Sequence, residues 1–276
     1  MSEGNRFKVG NAVISKVYET SLAFEATTLF PKWQQAPQKV YLSVHSWLVR
    51  DEGKIYLIDT GIGKDKPRAS ALFNQQNHPF LQELAKHGVE PEQVDYVLIT
   101  HIHTDHVGWN TVLEEGEWKA TFPNARYIIP EGSYQFQLSE KGKATSAQPC
   151  FKDSVLPLVD AGLVDFIPAA GGFFDGKFEY FPTPGHCTGH MSIRLTSEHQ
   201  TALFAGDVMH ALEQITDPQM GSMFCEDNPQ AELTRIEILN QVADSHALYF
   251  SSHFGGSSAG RINRESAGFV WHPVID

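Results

Sequence analysis

The sequence is poor in cysteine, with three thiols among 276 residues. Cys150, Cys187 and Cys225 are odd in number and lack the paired spacing of thiolate metal sites. A disulfide framework is therefore not expected. Cys187 directly follows a histidine, and we expect it to be a small buried residue, or one that supports its neighbour, rather than a metal ligand.

Long hydrophobic runs and basic residues are also scarce. No apolar segment approaches the roughly 20 residues needed to cross a bilayer, so a membrane partner is not expected. Lys and Arg number 21 against 33 Asp and Glu, and the formal net charge of −12 argues against a nucleic-acid partner, because phosphate binding needs clustered basic side chains. The N-terminal residues are polar and lack the apolar core of a signal peptide. We therefore expect a cytoplasmic protein.

Histidine, by contrast, is concentrated at one point. Residues 100–106 read Thr-His-Ile-His-Thr-Asp-His and directly follow an apolar run that predicts a buried strand. His101 and His103 alternate, so both project from one side of an extended segment toward one ion. Asp105 and His106 follow where the chain turns and can face a second ion. Imidazole and carboxylate are ligands of zinc and of neighbouring divalent metals, so this segment predicts a metal site.

Three further strand ends supply side chains of the same kinds. His186 follows a short apolar run and a Pro-Gly turn. Asp207 ends another apolar run, in which Gly206 allows the backbone to come close to a bound group. His253 follows a third apolar run and precedes a Phe-Gly-Gly segment. Four separate strand ends therefore offer metal-binding side chains.

The ordered set of motifs resembles the metallo-β-lactamase superfamily of hydrolases. The shared motifs are HxHxDH at 101–106, a TPGH strand end, a GD strand end and a late SSH. Upstream, Asp59 and Gly61 are similar to the pair that buttresses the metal loop in that superfamily. The motifs are most similar to those of the N-acyl-homoserine lactonase and methyl-parathion-hydrolase-like branch. The resemblance implies an α/β fold, an αββα four-layer sandwich of two mixed sheets with outer helices.

The resemblance also implies a ligand set and a reaction. Two divalent ions per chain, expected to be Zn²⁺, would be held by His and Asp side chains without thiolate. The implied ligands are His101, His103 and His186 for one ion, Asp105, His106 and His253 for the other, and Asp207 between the two. A metal-bound water, whose pKa falls to about 7, would supply the hydroxide that attacks the substrate. The chemistry is hydrolysis and needs no protein nucleophile.

Asp105 and His210 are the candidate catalytic residues, the first in addition to its role as a ligand. His210 occupies a position at which small acyl-homoserine lactonases usually carry Tyr, and the motif 206–210 is more similar to that of the methyl-parathion-hydrolase-like relatives. We expect His210 to hydrogen-bond a substrate oxygen or a ligating carboxylate and to tune substrate preference. His190 is expected to lie behind a ligand rather than on the metal.

Residues 1–276 are expected to form a single domain, which is an ordinary size for one α/β hydrolase. The periodicity of apolar residues predicts two main helices, at 78–87 and 229–243. It also predicts a hairpin at 41–59 and a last strand at 247–251. Residues 139–153 are polar and poorly patterned, and we expect them to run over the surface near the active site.

Residues 21–40 contain aromatic side chains without a clear period, among them Phe24, Phe30 and Trp33. A segment of this length without secondary structure is typically a lid or an interface arm. We expect this N-terminal arm to pack against a second copy of the chain and to narrow the active-site entrance, which predicts a homodimer.

Aromatic residues near the predicted entrance favour an apolar substrate. Trp109, Phe173 and Phe174 are expected to line a cleft together with the arm, although such residues also pack in cores or interfaces. We expect hydrolysis of a neutral hydrophobic ester or lactone, such as an acyl-homoserine lactone or an aryl ester. The alternative is an aryl organophosphate of the methyl-parathion type. A glyoxalase II-like thioesterase, which would need a basic cluster for glutathione, and a non-catalytic binding protein are the remaining alternatives.

Overall fold

Two seven-stranded sheets form the centre of the computed structural model, which describes residues 6–266 and 268–275. The first sheet contains, in neighbour order, β1 (Arg6–Val9), β2 (Ala12–Glu25), β3 (Lys39–Asp51), β4 (Lys54–Ile58), β5 (Tyr96–Leu98), β8 (Arg126–Pro130) and β9 (Val164–Ile167). Strands β1 to β4 pair antiparallel, and β4, β5, β8 and β9 pair parallel. The remaining pair, β6 (Thr111–Glu114) and β7 (Glu117–Ala120), forms a separate hairpin.

The second sheet follows the order of the chain. Its strands are β10 (Gly172–Phe174), β11 (Phe178–Pro182), β12 (Met191–Ser197), β13 (Gln200–Phe204), β14 (Leu248–Phe250), β15 (Ala259–Glu265) and β16 (Gly268–Pro273). Neighbouring strands are antiparallel, except that β13 and β14 are parallel. Both sheets are therefore mixed, as predicted.

Successive side chains along a strand point to opposite faces of the sheet, and in both sheets apolar residues are buried on both faces. Trp47 and Val49 of β3 belong to the core between the sheets, whereas Leu48 packs on the opposite face. In β13, Phe204 faces the first sheet and Leu203 faces outward. A sheet that is apolar on both faces must be covered on both, and helices cover the two outer faces. This layering confirms the predicted αββα sandwich.

The helices cover these outer faces and form the connections. They are α1 (Ala26–Leu29), α2 (Phe80–Lys86), α3 (Thr104–Val107), α4 (Glu131–Leu138), α5 (Glu140–Lys143), α6 (Gln148–Ser154), α7 (Leu156–Asp160), α8 (Glu213–Thr216) and α9 (Asn228–Ser245). The predictions of α2 and α9 are confirmed. Helix α9 begins after Asp227, whose side chain accepts a hydrogen bond from the backbone of Gln230, and it ends at His246 in the left-handed conformation. Within the described residues, no helix is both long and apolar enough to span a membrane.

One prediction about a connection was partly wrong, and one about a strand was wrong. Residues 139–146 lie at the surface, as predicted, but residues 147–153 do not, because α6 places Cys150 and Phe151 in the core under the first sheet. The strand β14 is not the last, because β15 and β16 extend the second sheet beyond it. In α6 and β15, polar side chains between the buried residues hid them from a reading of local composition.

The expected irregular arm at 21–40 is largely the end of a long hairpin. Strand β2 runs to Glu25 and pairs with β3 as far as Lys39, and α1 and an irregular loop at residues 30–38 form the tip. Leu29, Phe30 and Trp33 are buried within the same chain. The aromatic residues therefore no longer argue for contact with a second copy, and the homodimer stays a prediction.

Parallel pairing brings several strand ends to one edge of the sandwich. Asp59 follows β4, and His101 lies shortly after β5, which is the parallel neighbour of β4. Asp207 and His253 follow β13 and β14, the parallel pair of the second sheet. Open α/β sheets bind ligands at the carboxyl ends of their parallel strands, and the predicted metal residues meet at this edge.

Candidate metal centre

Three histidines form the first cluster of the site. Nδ1 of His103 lies 3.1 Å from Nε2 of His101 and 2.9 Å from Nε2 of His186. Two ligands that are each about 2.1 Å from one zinc ion in tetrahedral geometry are about 3.4 Å apart. The two measured distances are slightly shorter than this, and the three nitrogen atoms lie close enough together to hold a single ion.

Asp105, His106 and His253 form the second cluster. Nε2 of His106 lies 3.9 Å from Oδ1 of Asp105, and Nε2 of His253 lies 3.8 Å from Oδ2 of Asp105. Both imidazoles are buried, whereas the carboxylate of Asp105 is partly exposed. This cluster is therefore partly open to solvent at Asp105.

The carboxylate of Asp207 lies between the two clusters. Its Oδ2 is 3.3 Å from Nε2 of His186, which belongs to the first cluster. Its Oδ1 is 3.2 Å from Nε2 of His106 and 3.0 Å from Nε2 of His253, both in the second. Each oxygen thus faces a different cluster, which is the arrangement of a carboxylate that bridges two ions.

Buried polar atoms at the centre fit divalent metal ions. Nε2 of His106 and Oδ1 of Asp207 are inaccessible to solvent and have no hydrogen-bond partner among the described residues. Leaving such atoms unpaired costs about 1–3 kcal/mol each. Coordination of a cation satisfies both atoms at once, and imidazole and carboxylate suit divalent ions such as zinc.

Hydrogen bonds to the outer ring nitrogens determine which nitrogen faces the ion. His106 donates from Nδ1 to Oδ2 of Asp59 at 2.8 Å, and His253 donates from Nδ1 to the carbonyl of Ser43 at 2.9 Å. The hydroxyl of Thr100 donates to Asp59 and therefore accepts from Nδ1 of His101, at 3.0 Å. In the neutral form of each ring, Nε2 is therefore the nitrogen whose lone pair faces the centre. Burial lowers the pKa of His106 and of His253, but Asp207 and the neighbouring carboxylates outweigh it and raise both pKa values, so metal binding at these two rings releases protons.

Burial keeps the first cluster in the ligand form. It lowers the pKa of His101 and of His186 well below the usual value, and neighbouring imidazoles lower the pKa of His101 further. Burial alone would raise the pKa of Asp207, but the surrounding imidazoles, led by His106, outweigh it and hold that pKa well below its usual range. Neutral imidazoles and an ionised carboxylate are the states that bind metal.

His190 lies behind the centre, as expected, and has no free lone pair. Its Nδ1 donates to the carbonyl of Thr183 at 3.0 Å, and its Nε2 accepts from the backbone N–H of Asp207 at 2.9 Å. Burial lowers the pKa of His190 to about 4, so the ring is neutral at ordinary pH. Gly206 has a φ of +57° and a Cβ there would lie 2.6 Å from Nε2 of His190, so glycine is required for this contact.

His210 borders the centre and is 1% exposed. Its Nε2 lies 3.5 Å from Oδ2 of Asp207, and neither ring nitrogen has a hydrogen-bond partner among the described residues. Gln214 holds the segment by accepting from the backbone N–H of His210 at 2.7 Å. Burial lowers the pKa of His210, partly opposed by Asp207, so the ring is a neutral donor or acceptor beside the cluster.

Two cysteines lie close to His186. The sulfur of Cys187 is within 4.8 Å of the ligand atoms of the first cluster, and Sγ of Cys225 is 3.9 Å from Nδ1 of His186. Cys187 is buried, as expected for a small residue beside a ligand. Burial raises the pKa of both thiols above the usual value, so both are protonated near neutral pH.

The predicted aromatic lining was partly wrong. Trp109 is buried, stacks on Phe80 of α2 and donates from Nε1 to Glu19, so it belongs to the core and not to the entrance. Phe174 packs on Tyr96, at the start of β5 and so at the opposite end from the metal loop. Sequence distance to a motif does not reveal the direction in which a side chain points.

The supporting residues Ser43, Glu19 and Gln214 were not identified from the sequence. Ser43 contributes a backbone carbonyl, which any residue carries, so no sequence signal marks it. Gln214 lies in a segment without a motif. Glu19 has no clear signal either, because Lys16, Thr20 and Ser21 in the same strand are also polar.

The chain belongs to the metallo-β-lactamase superfamily, whose domain model matches residues 41–253. It is 24% identical over 220 residues to the N-acyl homoserine lactonase AiiA of Bacillus thuringiensis subsp. kurstaki, which covers 73% of this chain and 76% of the relative. It is thus a metallo-hydrolase family member that is related, at low identity, to quorum-quenching lactonases.

Two solved structures share the fold over nearly the whole chain. The hydrolase AbOPH of the β-lactamase superfamily matches with a TM-score of 0.85 and 22% identity, covering 100% of this chain and 99% of that one. AidC, a dizinc quorum-quenching lactonase in complex with the product N-hexanoyl-L-homoserine, matches with a TM-score of 0.83 and 20% identity, covering 99% and 98%. These matches confirm the metallo-β-lactamase fold.

Proposed function

We propose that this protein is a hydrolase with two divalent ions, Zn²⁺, that acts on a neutral hydrophobic ester or lactone. The observation that carries the proposal is the position of Asp207, whose two oxygens each lie 3.0–3.3 Å from imidazole nitrogens of a different cluster. The similarity to N-acyl homoserine lactonases supports the lactone as a substrate class.

The protein groups orient the reaction around these ions. When bound, the ions acidify water and polarise the substrate oxygen. Asp207 holds the spacing between the two clusters, and Asp105 forms the open side of the second. His210, beside Asp207, is within reach of a substrate oxygen and can hydrogen-bond it or the leaving group.

An apolar wall next to His210 supports a hydrophobic substrate. The ring of Phe224 lies 5.7 Å from the ring of His210 and packs edge-to-face on Phe24 at 5.4 Å. Both phenylalanines are only partly buried, and the adjacent side chain of Met223 is 49% exposed. A wall of this kind suits an acyl chain or an aryl group. Phe24 lies on the hairpin at 21–40, which thereby contributes to the entrance.

The net charge of −12 agrees with a neutral substrate, because an acidic protein repels anions unless a local basic group compensates. The second candidate is an aryl organophosphate of the methyl-parathion type, which the presence of His210 within the motif 206–210 favours. Both substrates are neutral and carry an apolar group, so the same wall serves either.

A substrate comparison tests this proposal. Protein purified under metal-replete conditions without chelator is assayed on N-hexanoyl homoserine lactone, a 4-nitrophenyl ester and methyl paraoxon. We expect the highest kcat/KM on the lactone or the ester. A preference for methyl paraoxon would favour the second candidate, and turnover of none of the three would contradict the proposal.

Asp207→Ala is the control for this comparison. It should lose more than nine-tenths of kcat/KM, which corresponds to more than about 1.4 kcal/mol of transition-state stabilisation. Metal occupancy should fall with it, because one carboxylate serves both ions. If the variant keeps wild-type activity, any hydrolysis observed comes from a contaminant or from another site.

A further inference from the structure

Glu19 lies at an irregularity of strand β2. Tyr18 pairs with His45 and Thr20 pairs with Val44, so Glu19 is the extra residue of a β-bulge. A bulge interrupts the regular alternation of side chains and redirects one of them. Here the redirected side chain is a carboxylate that is 3% exposed.

Three N–H groups donate to this carboxylate. Oε2 accepts from the backbone of Ile62 at 2.7 Å, and Oε1 accepts from Nε1 of Trp109 at 2.6 Å and from the backbone of Gly63 at 3.3 Å. An ionised carboxylate accepts hydrogen bonds on both oxygens and donates none, so three N–H donors match the ionised form of Glu19.

The chain leaves room for this carboxylate at Gly61. A Cβ at Gly61 would lie 2.0 Å from Oε2 of Glu19, and Gly61 has a φ of +59°, a conformation that favours glycine. The bulge in β2 and the glycine in the opposing loop are far apart in sequence. The bulge directs the Glu19 side chain toward the loop, and the glycine leaves space for its carboxylate.

The donors belong to two segments that hold the backbone of the metal loop. Thr60 donates from its N–H to the carbonyl of His106 at 2.7 Å. Gly108 donates to the carbonyl of Gly61 at 2.7 Å, and Trp109 donates to the carbonyl of Thr60 at 2.9 Å. Glu19 therefore connects both segments, 60–63 and 106–109, through a single side chain.

We infer that Glu19 is a positioning residue for the second ion: reaching from the bulge, it clamps the segment 60–63 onto the backbone that carries His106. The inference rests on the proposed two-ion centre. It is selective, because the segments that Glu19 joins hold His106, a residue of the second cluster. In the first cluster, the carbonyl of His103 accepts from the N–H groups of His106 and Val107 at 3.1 and 3.3 Å, but its ring nitrogen Nδ1 faces His101 and His186 and not these segments.

The charge state of Glu19 sets the conditions of the test. Burial raises the pKa of Glu19 to about 7, although the N–H donors of Ile62 and Trp109 oppose this effect. Metal binding is therefore compared above this value, at about pH 8, where the ionised form predominates. Glu19→Gln keeps the shape of the side chain but turns one acceptor into a donor that opposes an N–H group.

Stepwise Zn²⁺ affinities, measured by competition with a chelating indicator on metal-free protein, test the inference. In Glu19→Gln we expect the affinity for the first ion to stay within about twofold and that for the second to fall by about tenfold or more, as for other groups that orient ligands. Asp51→Asn is the matched control, because Asp51 is also a buried carboxylate but binds Lys177 at the end of β3. It should lower thermal stability and leave both affinities unchanged.

The possible outcomes separate the two proposals. A wild-type protein that binds fewer than two ions would overturn the two-ion centre and this inference together. Two unchanged affinities in Glu19→Gln, or an equal loss of both, would overturn this inference alone and leave the centre intact. If Glu19→Gln does not fold, Trp109→Phe decides in the same way, because it keeps the aromatic stack on Phe80 and removes one donor to Glu19.

Discussion

Oδ2 of Asp59 accepts a hydrogen bond from Nδ1 of His106 at 2.8 Å. The other oxygen of Asp59 accepts from the backbone N–H of Thr100 at 2.8 Å, so one carboxylate holds both ends of the metal loop. Asp59 is not a candidate ligand itself. It orients a ligand ring and increases its basicity, which is the usual function of a carboxylate behind a metal-bound histidine.

Asp59→Asn should weaken metal binding without changing the backbone. Asparagine tolerates the left-handed φ of +55° found here, but its amide N–H₂ faces donors on Thr100 and His106. We expect a 10- to 100-fold loss of Zn²⁺ affinity, roughly, measured by chelator competition. Asp153→Asn, which removes a buried partner of Arg68, should reduce stability but keep metal affinity. Equal affinities in Asp59→Asn and wild type would contradict this role.

Removal of metal should lower thermal stability. Among the described residues, Nε2 of His106 and Oδ1 of Asp207 are buried and have no hydrogen-bond partner, and any ligand that binds only the folded state stabilises it by mass action. Elemental analysis should find about two ions per chain, and the melting temperature should rise on addition of Zn²⁺ to metal-free protein. Fewer than one equivalent under metal-replete conditions is the result that rules out this centre.

Substitution of His210 should change substrate preference more than metal content. The ring is buried beside Asp207, but neither nitrogen is held by another group among the described residues. We expect His210→Ala to lose more kcat/KM on an acyl-homoserine lactone than on a 4-nitrophenyl ester, whose leaving group needs less assistance. His210→Tyr provides the comparison with a residue that can donate a hydrogen bond. If both variants keep the wild-type ratio between the two substrates, His210 is structural.

Phe224→Ala should raise KM for long acyl chains. Its ring stands between Phe24 and His210 and forms part of the apolar wall, so its loss removes contacts that grow with the chain length of the substrate. We expect an increase of about tenfold for a decanoyl substrate, since each buried methylene contributes about 0.8 kcal/mol, and little change for a butanoyl one. Phe173→Ala, at a residue 70% exposed on the edge strand β10, is the matched control. A KM that changes equally for all chain lengths would place the acyl group elsewhere.

Gly108→Ala should destabilise the fold by a steric clash, without any backbone strain at the substituted residue. Gly108 has ordinary helical φ and ψ, but a Cβ there would lie 1.9 Å from the carbonyl of Ile62. We expect a loss of about 3 kcal/mol or more in the free energy of unfolding, measured with urea. Gly132→Ala, where a Cβ meets only ordinary contacts inside α4, should stay within about 1 kcal/mol of wild type. A stable Gly108→Ala protein would show that the two loops can separate at little cost.

Sequence patterns predicted the elements in which apolar residues recur at regular spacing. They failed to predict the elements in which buried residues are irregularly spaced. The helices α2 and α9 were confirmed because apolar side chains recur at helical spacing. The end of the hairpin at 21–25 was interpreted as an irregular arm because β2 carries a bulge at Glu19, which shifts the alternation by one residue. Trp109 was assigned to the entrance although its indole is turned toward Glu19.

The sequence by itself determined the kind of site, because the types and order of the metal-binding residues were sufficient to indicate the superfamily and its fold. Only the tertiary structure decided how these residues are held. Oxygen Oδ2 of Asp207 meets the first cluster and Oδ1 meets the second because β13 lies beside β14 in one sheet and opposite the strands of the other. Likewise, the carbonyl of Ser43 holds His253, 210 positions away. Such contacts depend on sheet topology and on backbone groups that every residue carries, so local sequence patterns do not contain them.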